Sequence, residues 1–191
     1  MAIVNGYCTA AELKARLDIA TADTVDDGAL DILINAASRM IDQHTGRRFY
    51  ATTETRYFNV PEGQDLWLDQ DLISITTMTN GDGTVLGNTT YKLLPLNDTP
   101  KFAIHLLPGY YWTEDAAGND FGVISIAGSW GYAATAPESV HEACLLQAAR
   151  FFKRRDAPLG VAGSTELGQI VAITKLDPDV SALIDYFRRV L

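Results

Sequence analysis

The chain has 191 residues, 47% of them hydrophobic, and a formal net charge of −9. This length suffices for one domain with a sizeable insertion and a buried core. The composition excludes a disordered chain, and the acidic balance argues against an autonomous DNA-binding module, which would present a basic face to phosphates. No run reaches the ~20 apolar residues that a membrane-spanning helix needs. The start lacks the pattern of a signal peptide, so we expect a globular, cytoplasmically made protein without a membrane partner.

Two helices are predicted at the start of the chain. Thr9 and Glu12 have the spacing of a capping box and predict a short helix that carries residues 13–17. The longest periodic segment follows at residues 27–49, DGALDILINAASRMIDQHTGRRF. Asp26 or Asp27 can cap its first turn, and Gly46 can adopt the left-handed conformation that ends a helix.

The second predicted helix has three distinct faces. Polar residues spaced by four, three and four predict a narrow stripe that faces water: Asp31, Asn35, Ser38 and Asp42. One apolar flank beside it contains Leu30, Leu33, Ile34, Ala37 and Ile41. The other flank includes alanines that permit close approach: Ala29, Ile32, Ala36 and Met40. Two helices of the same chain or a neighbouring copy would cover this second flank, so we predict inter-helix or inter-subunit packing at Ile32, Ala36 and Met40.

The hydrophobic period changes from helical to alternating after Phe49. Strands are predicted at residues 53–59, 66–68, 72–79, 91–94, 103–107 and 123–130. The sequence Asn80-Gly81-Asp82-Gly83 predicts a hairpin turn because its residues tolerate positive φ. The predicted fold class is therefore α+β, with a small bundle of about four helices (residues 1–50 and 133–191) and an inserted antiparallel β-sandwich or barrel-like unit (residues 51–132).

The predicted β unit is rich in aromatic residues. We expect most of them, including Trp67 and Trp130, to lie in its core. Tyr110, Tyr111 and Trp112 precede a polar loop and are a candidate surface for a tail-side partner subunit or a sugar.

The chain is predicted to return to helix at Pro137. This third helix runs to Lys153-Arg154-Arg155, and the segment 156–168 that follows is rich in glycine and has no period. Asp177 and Pro178 then open a last helix. Basic residues at three helix C-termini complement the helix dipole. A weaker hypothesis is that these basic ends converge on an acidic partner or on passing DNA.

Both ends of the chain resemble one known family. The second helix reads L-x-x-x-I-x-x-A-S-x-x-I-D-x-x-T-G-R-x-F, from Leu30 to Phe49. Near the other end, Gly131-Tyr132 is followed by a proline-initiated helix with an aromatic and basic end, a glycine-rich loop and L-D-P-D-V before Tyr186-Phe187-Arg188. These motifs resemble the head-tail connector (adaptor) proteins of tailed bacteriophages. The β unit matches only in position and length.

This resemblance implies a structural virion protein that acts at the neck. It implies a closed, twelve-fold homo-oligomeric ring that docks on the portal protein, helps to retain packaged DNA and attaches a downstream neck or tail-completion protein. Genomic DNA would be a non-specific passenger in the channel, and assembly would occur in the host bacterial cytoplasm. The residues predicted to contact the portal or a neighbouring subunit are Leu159, Val161, Leu167, Val180, Leu183, Phe187, Arg188 and Arg189.

No catalytic, metal or cofactor site is predicted. Residues 127–131, AGSWG, nearly spell a nucleophile elbow, but the first glycine is replaced and no helix follows directly. Histidines 44, 105 and 141 lack ligand spacing, and Cys8 and Cys144 lack a CxxC partner, so we expect the cysteines to be reduced, small hydrophobic residues. The alternative function is a carbohydrate- or receptor-binding β module of a phage particle, and an enzyme is the weakest option.

Overall fold

The computed structural model of the chain describes residues 2–155 and 176–189. The chain forms two compact units, which we call the helical unit (Met1–Gly46 and Ala136–Leu191) and the sheet unit (Arg47–Thr135). The described residues contain four α-helices and one five-stranded antiparallel sheet, which confirms the α+β class. Among these residues, no helix has the length and apolar character that crossing a membrane requires.

The helical unit contains α1 (Ala10–Arg16), α2 (Asp27–Thr45), α3 (Glu138–Arg154) and α4 (Pro178–Ile184), followed by a 3₁₀ turn (Asp185–Phe187). The capping box is confirmed, because Thr9 Oγ1 accepts from the Glu12 N–H and the Glu12 carboxylate accepts from the Thr9 N–H. Gly46 ends α2 with a φ of 68°. The side chain of Asp177 caps α4, as predicted.

The apolar flank of α2 is the centre of the helical unit. Leu30, Ile34, Ala37 and Ile41 are fully buried, and α2 packs against α3. Small residues of α3, Ala143 and Ala148 among them, are also fully buried and let the two helices approach closely.

The polar stripe of α2 faces water only in part, because Ser38 is buried whereas Asp31, Asn35 and Asp42 are half-buried. The N-terminal segment (residues 2–8) lies along the stripe and forms hydrogen bonds with three of its side chains, and the Asn35 amide donates to the Ala2 carbonyl at 3.2 Å. Asn35 Oδ1 accepts from the Val4 N–H at 2.9 Å, and Ser38 Oγ accepts from the Tyr7 N–H at 3.1 Å. Asp42 accepts from the Tyr7 hydroxyl. The polar spacing therefore marks where an extended segment binds the helix.

The sheet unit contains β1 (Thr52–Phe58), β2 (Asp65–Thr79), β3 (Tyr91–Leu94), β4 (Lys101–Leu106) and β5 (Ile124–Trp130), in the order β1-β5-β2-β4-β3. The sheet is open, so the unit is not a closed barrel. The two strands predicted at 66–68 and 72–79 are one strand, β2, whose first part pairs with β4 and whose second part pairs with β5. The core of the unit includes Leu66, Leu68, Leu72, Met78, Ile104, Leu106, Ile124, Ile126 and Trp130.

The turn predicted after β2 is present, and it packs against a neighbouring loop. Asn80 is buried, its Nδ2 donates to the carbonyl of Tyr111 at 2.9 Å, and its Oδ1 accepts from the Thr113 N–H at 3.1 Å. A Cβ atom on Gly81 would lie only 2.0 Å from the Thr113 carbonyl oxygen. Gly83 has a φ of 83°. Gly81 is thus required by close packing, and Gly83 by the backbone conformation.

The segment that resembles a nucleophile elbow lies within β5. Ser129 pairs with Thr53 of β1 and Ser74 of β2, inside the sheet. A Cβ atom on Gly128 would lie 2.2 Å from the Ser74 carbonyl oxygen, where the β2–β5 register shifts. The glycine therefore allows a close strand pairing, which explains the motif without catalysis.

Candidate subunit and partner interfaces

The second flank of α2 is open on the surface of the helical unit. We call Ala29, Ile32, Ala36 and Met40 the outer flank. Ile32 is 50% exposed, Ala36 is exposed, and Ala29 and Met40 are half-buried. Val25, just before the helix, is 89% exposed. An exposed row of apolar and small side chains on one long helix is typical of a surface that another chain covers.

The residues predicted to contact the portal or a neighbouring subunit differ in how deeply they are buried. Val180 is fully buried within the helical unit, so its assignment to a surface contact was wrong: the inward face of α4 carries it together with Ile184. Leu183 and Phe187 are half-buried, as is Arg189, whose N–H donates to the Thr45 carbonyl at 2.8 Å. Arg188 is exposed. The remaining predicted contacts lie outside the described residues: Leu159, Val161 and Leu167.

Side-chain contacts at both ends of the terminal helix connect it to α3 and α2. Arg150 donates to the carboxylate of Asp177, the residue that caps α4. His44 of α2 contacts Asp185 at 2.7 Å. Tyr186, which the contact prediction did not include, is 88% exposed beside these contacts. Tyr186 lies outside the apolar face that Val180, Leu183, Ile184 and Phe187 form. The sequence could therefore have indicated that its side chain is exposed.

The aromatic triplet of the sheet unit is only partly on the surface. Tyr110 and Tyr111 are 42% and 69% exposed. Trp112 belongs to the core, and its indole N–H donates to the Gln64 carbonyl at 3.0 Å. The predicted aromatic surface is therefore corrected to the two tyrosines, because Trp112 packs in the core and its indole N–H bonds to the Gln64 carbonyl.

A second aromatic surface lies on β1 and β2, where the sequence had placed Trp67 in the core. Trp67 is 67% exposed and stacks on Phe102 at 5.8 Å between ring centroids. Tyr57 is 68% exposed. Both rings line an open groove of about 400 Å³, together with Asp65 and Asp69 among other residues. Strand alternation could have revealed it, because Leu66 and Leu68 take the inward positions on either side of Trp67.

The basic residues that follow α2 are engaged inside the sheet unit. Arg47 Nη1 donates to both carboxylate oxygens of Asp71, at 2.6 and 2.7 Å, and Asp71 is only 2% exposed. Arg48 and Arg56 both contact Glu54, at 3.0 and 2.8 Å. Burial would raise the pKa of Glu54, but the two guanidinium groups outweigh it and lower that pKa. These arginines are paired with carboxylates and stabilise the fold. Less of their positive charge is therefore available to bind DNA than the sequence predicted.

The titratable groups form pairs. Each histidine contacts one carboxylate: His44 contacts Asp185, His105 contacts Asp65, and His141 contacts Glu12. Within residues 2–155 and 176–189, no group of three histidine, cysteine or acidic side chains is placed to hold a metal ion. The described part of the chain therefore offers surfaces as its candidate functional features.

Comparison with known proteins finds similar structures but no similar family. No protein-family model matches the sequence, and no curated protein matches it. Three solved structures contain chains similar over 100% of this chain. One is the neck of an empty gene transfer agent (GTA) particle computed with C6 symmetry (19% identity, 95% of that chain, TM-score 0.62). Another is the neck of a native GTA particle computed with C12 symmetry (20%, 94%, TM-score 0.63), and the third is the virion of a native GTA particle (20%, 95%, TM-score 0.65).

These likenesses span both units, including the sheet unit, for which the sequence motifs gave no match beyond position and length. At such identities they establish the fold. The resemblance inferred from the two ends of the sequence is thus confirmed at the level of structure, and the chain has the fold of a chain found in the neck of GTA particles.

Proposed function

We propose that this chain is a structural subunit of the neck of a tailed phage or phage-like particle, in the ring that connects the portal to the tail. The observation that carries the proposal is the likeness of the whole chain to chains of GTA necks. Both units take part in it, so the likeness is not that of one common supersecondary motif. In this role the chain is not an enzyme and needs no cofactor.

The ring is proposed to be a closed homo-oligomer with twelve copies. A similar chain occurs in a neck computed with C12 symmetry, which supports this number. The outer flank of α2 supplies an apolar surface, with Ile32 half exposed and Ala36 small enough for close approach. Stable contacts between subunits bury about 800 Å² per partner, so the outer flank would be one part of a larger interface.

Portal docking is proposed for the end of the chain. Leu183, Phe187, Arg188 and Arg189 remain candidates because none of their side chains is fully buried in the helical unit. The exposed ring of Tyr186 extends this surface. Leu159, Val161 and Leu167 are further candidates on the basis of the family resemblance. Contacts with the portal would then help to retain the packaged DNA. During packaging and ejection, the acidic ring would let DNA pass without specific binding.

The tail-side partner is proposed to bind the exposed aromatic residues of the sheet unit. Tyr110 and Tyr111 are retained from the sequence prediction, and Tyr57 and Trp67 are added by the structure. Exposed aromatic rings combine a large apolar area with few rotatable bonds and are enriched at interfaces. We also propose that residues 51–132 act as an inserted domain between the two parts of a connector domain, residues 1–50 and 133–191.

Deletion of the gene from its particle tests this function. Electron microscopy of the lysate should show tails separate from heads, some of the heads emptied of DNA, and a plasmid copy should restore complete particles. Complete particles that fail only to adsorb would contradict the proposal.

The groove beside Trp67 favours a second candidate function, carbohydrate binding. Two exposed aromatic rings and the carboxylates of Asp65 and Asp69 are a combination that can stack on a sugar and accept hydrogen bonds from it. Soluble glycans should then quench tryptophan fluorescence in the wild type and not in Trp67→Phe. A connector should show no such change with any glycan.

A further inference from the structure

The fold brings together two cysteines that lie 136 positions apart. Cys8 ends the N-terminal segment, Cys144 lies in the middle of α3, and their Sγ atoms are 3.4 Å apart. Both are free thiols and both are buried. The sequence predicted buried, reduced cysteines but no contact between them. The contact places the two thiols side by side, which their separation in the sequence does not predict.

The two thiols have different chemical environments. The hydrogen bond from Cys8 lowers the pKa of Cys144 in spite of its burial, and Ser38 Oγ, 3.4 Å from Cys144 Sγ, acts in the same direction. The same contact, together with burial, raises the pKa of Cys8. When the pair loses one proton, the remaining thiol can donate to the thiolate across the 3.4 Å contact. A thiolate is the form of cysteine that attacks a disulfide.

The N-terminal segment carries Cys8 and is held on α2 by hydrogen bonds. The segment is held on α2 by the Tyr7 N–H, which donates to Ser38, and by the Tyr7 hydroxyl, which donates to Asp42. Arg39 of α2 donates to the Asn5 carbonyl at 2.8 Å. The Val4 N–H also donates to Asn35, and the Asn35 amide donates to the Ala2 carbonyl, so the thiols become accessible only when these hydrogen bonds open locally.

We propose that Cys8 and Cys144 are an oxidisable pair that low-molecular-weight disulfides, such as oxidised glutathione, convert into a disulfide linking the N-terminal segment to α3. The Cys144 thiolate attacks oxidised glutathione, forms a mixed disulfide and releases one glutathione thiolate. Cys8 then loses its proton, attacks the Cys144 sulfur and releases the second glutathione. Two electrons pass from the two cysteines to oxidised glutathione, and the two thiol protons end on the two reduced glutathiones.

The disulfide would fasten the start of the chain to the centre of the helical unit. A reducing cytosol keeps such thiols reduced, whereas surroundings outside the cell do not. If the chain is part of a released particle, the pair would stay open during assembly and close afterwards. That timing rests on the proposed function, whereas the reaction of the two thiols does not.

The test exposes the purified, folded chain to oxidised glutathione and reads the products by intact mass and by peptide mapping without reduction. The wild type should lose about 2 Da, retain no glutathione and yield one peptide pair joined through Cys8 and Cys144. Its melting temperature should rise by roughly 5–10 °C and return after dithiothreitol, because the crosslink closes a long loop. Cys8→Ala should instead retain one glutathione on Cys144, since no resolving thiol remains.

Two results would overturn the proposal. The first is a wild type that keeps both thiols under conditions that oxidise the urea-unfolded chain, and the second is a wild type that retains glutathione as Cys8→Ala does. The route is tested separately with Tyr7→Phe, which removes the hydroxyl that contacts Asp42. Oxidation should be several-fold faster in Tyr7→Phe and unchanged in Phe121→Leu, whose side chain is 81% exposed in the sheet unit. Equal rates in all three proteins would show that the N-terminal segment does not control access.

Discussion

Replacement of Ile32 by glutamate separates the stability of the chain from assembly of the ring. Ile32 lies on the outer flank and is half exposed, so loss of its buried half should lower the free energy of unfolding by about 1 kcal/mol. Full burial of an isoleucine side chain is worth about 1.5–3 kcal/mol, so covering the remaining half in a subunit contact is worth about 1 kcal/mol per contact. A buried glutamate without a partner adds its desolvation cost, and the loss recurs at every contact around the ring.

The assay compares wild type, Ile32→Glu and Ala11→Glu. Ala11 is exposed in α1, so its substitution adds the same charge to the same unit away from the outer flank. All three should unfold cooperatively, with melting temperatures within about 5 °C of one another. In complementation of a deletion strain, followed by electron microscopy, Ile32→Glu should give separate heads and tails while Ala11→Glu should give complete particles. Normal particles with Ile32→Glu would refute the assignment of the outer flank to a subunit contact.

Four further outcomes are expected. Gly81→Ala should lower the free energy of unfolding, measured by urea titration, by about 1–3 kcal/mol, because its Cβ would meet a backbone atom 2.0 Å away. In the same assay Gly63→Ala should be neutral or slightly stabilising, because its Cβ would have no atom within 4 Å beyond the neighbouring residues. Thr9→Ala should cost about 1 kcal/mol in the same assay through loss of the cap of α1. Backbone and hydroxyl hydrogen bonds from Thr9 lower the pKa of Glu12, so its stabilisation is complete above the unfolded pKa of about 4.3 and is lost as pH falls through the folded value. The stability gap between wild type and Glu12→Gln should therefore narrow in acid. Trp67→Ala should leave the melting temperature nearly unchanged but lower the yield of particles with attached tails.

A specific result would contradict each of the predictions considered next. Equal urea midpoints for the two glycine variants would mean that the turn after β2 is not packed against its neighbouring loop. A gap for Glu12→Gln that is constant with pH would mean that the carboxylate charge does not stabilise α1. Phe121→Ala, at an 81% exposed position in the sheet unit, is the control for Trp67→Ala, and equal losses in both would remove the groove from the tail-side contact.

Features of the fold with a local physical cause could be predicted from the sequence. The capping box at Thr9, the left-handed Gly46 and the Asp177 cap each depend on residues within a few positions, and the structure contains all three. The same holds for β3, a short alternating run bounded by turn residues. The burial of Leu30 and its flank followed from the helical period, because an apolar row on one side of a helix packs against the core of its unit.

Features that depend on distant partners could not be predicted in this way. Ser38 and Asp42 look like water-facing residues until an extended segment from the start of the chain supplies their hydrogen-bond donors. Trp112 points inward because of a carbonyl at Gln64, and nothing in its local pattern indicates that. The contact between Cys8 and Cys144 requires the packing of the N-terminal segment near α3 and has no signal in sequence spacing.

Cryo-electron microscopy of the intact neck of the particle that encodes this chain is the most direct test of the central claim. The account predicts a ring of twelve copies at the junction of head and tail, with the outer flank of α2 covered by the adjacent copy and the end of the chain on the portal. Density for this chain at the tail tip or on the capsid surface, with a different protein at the junction, would contradict it.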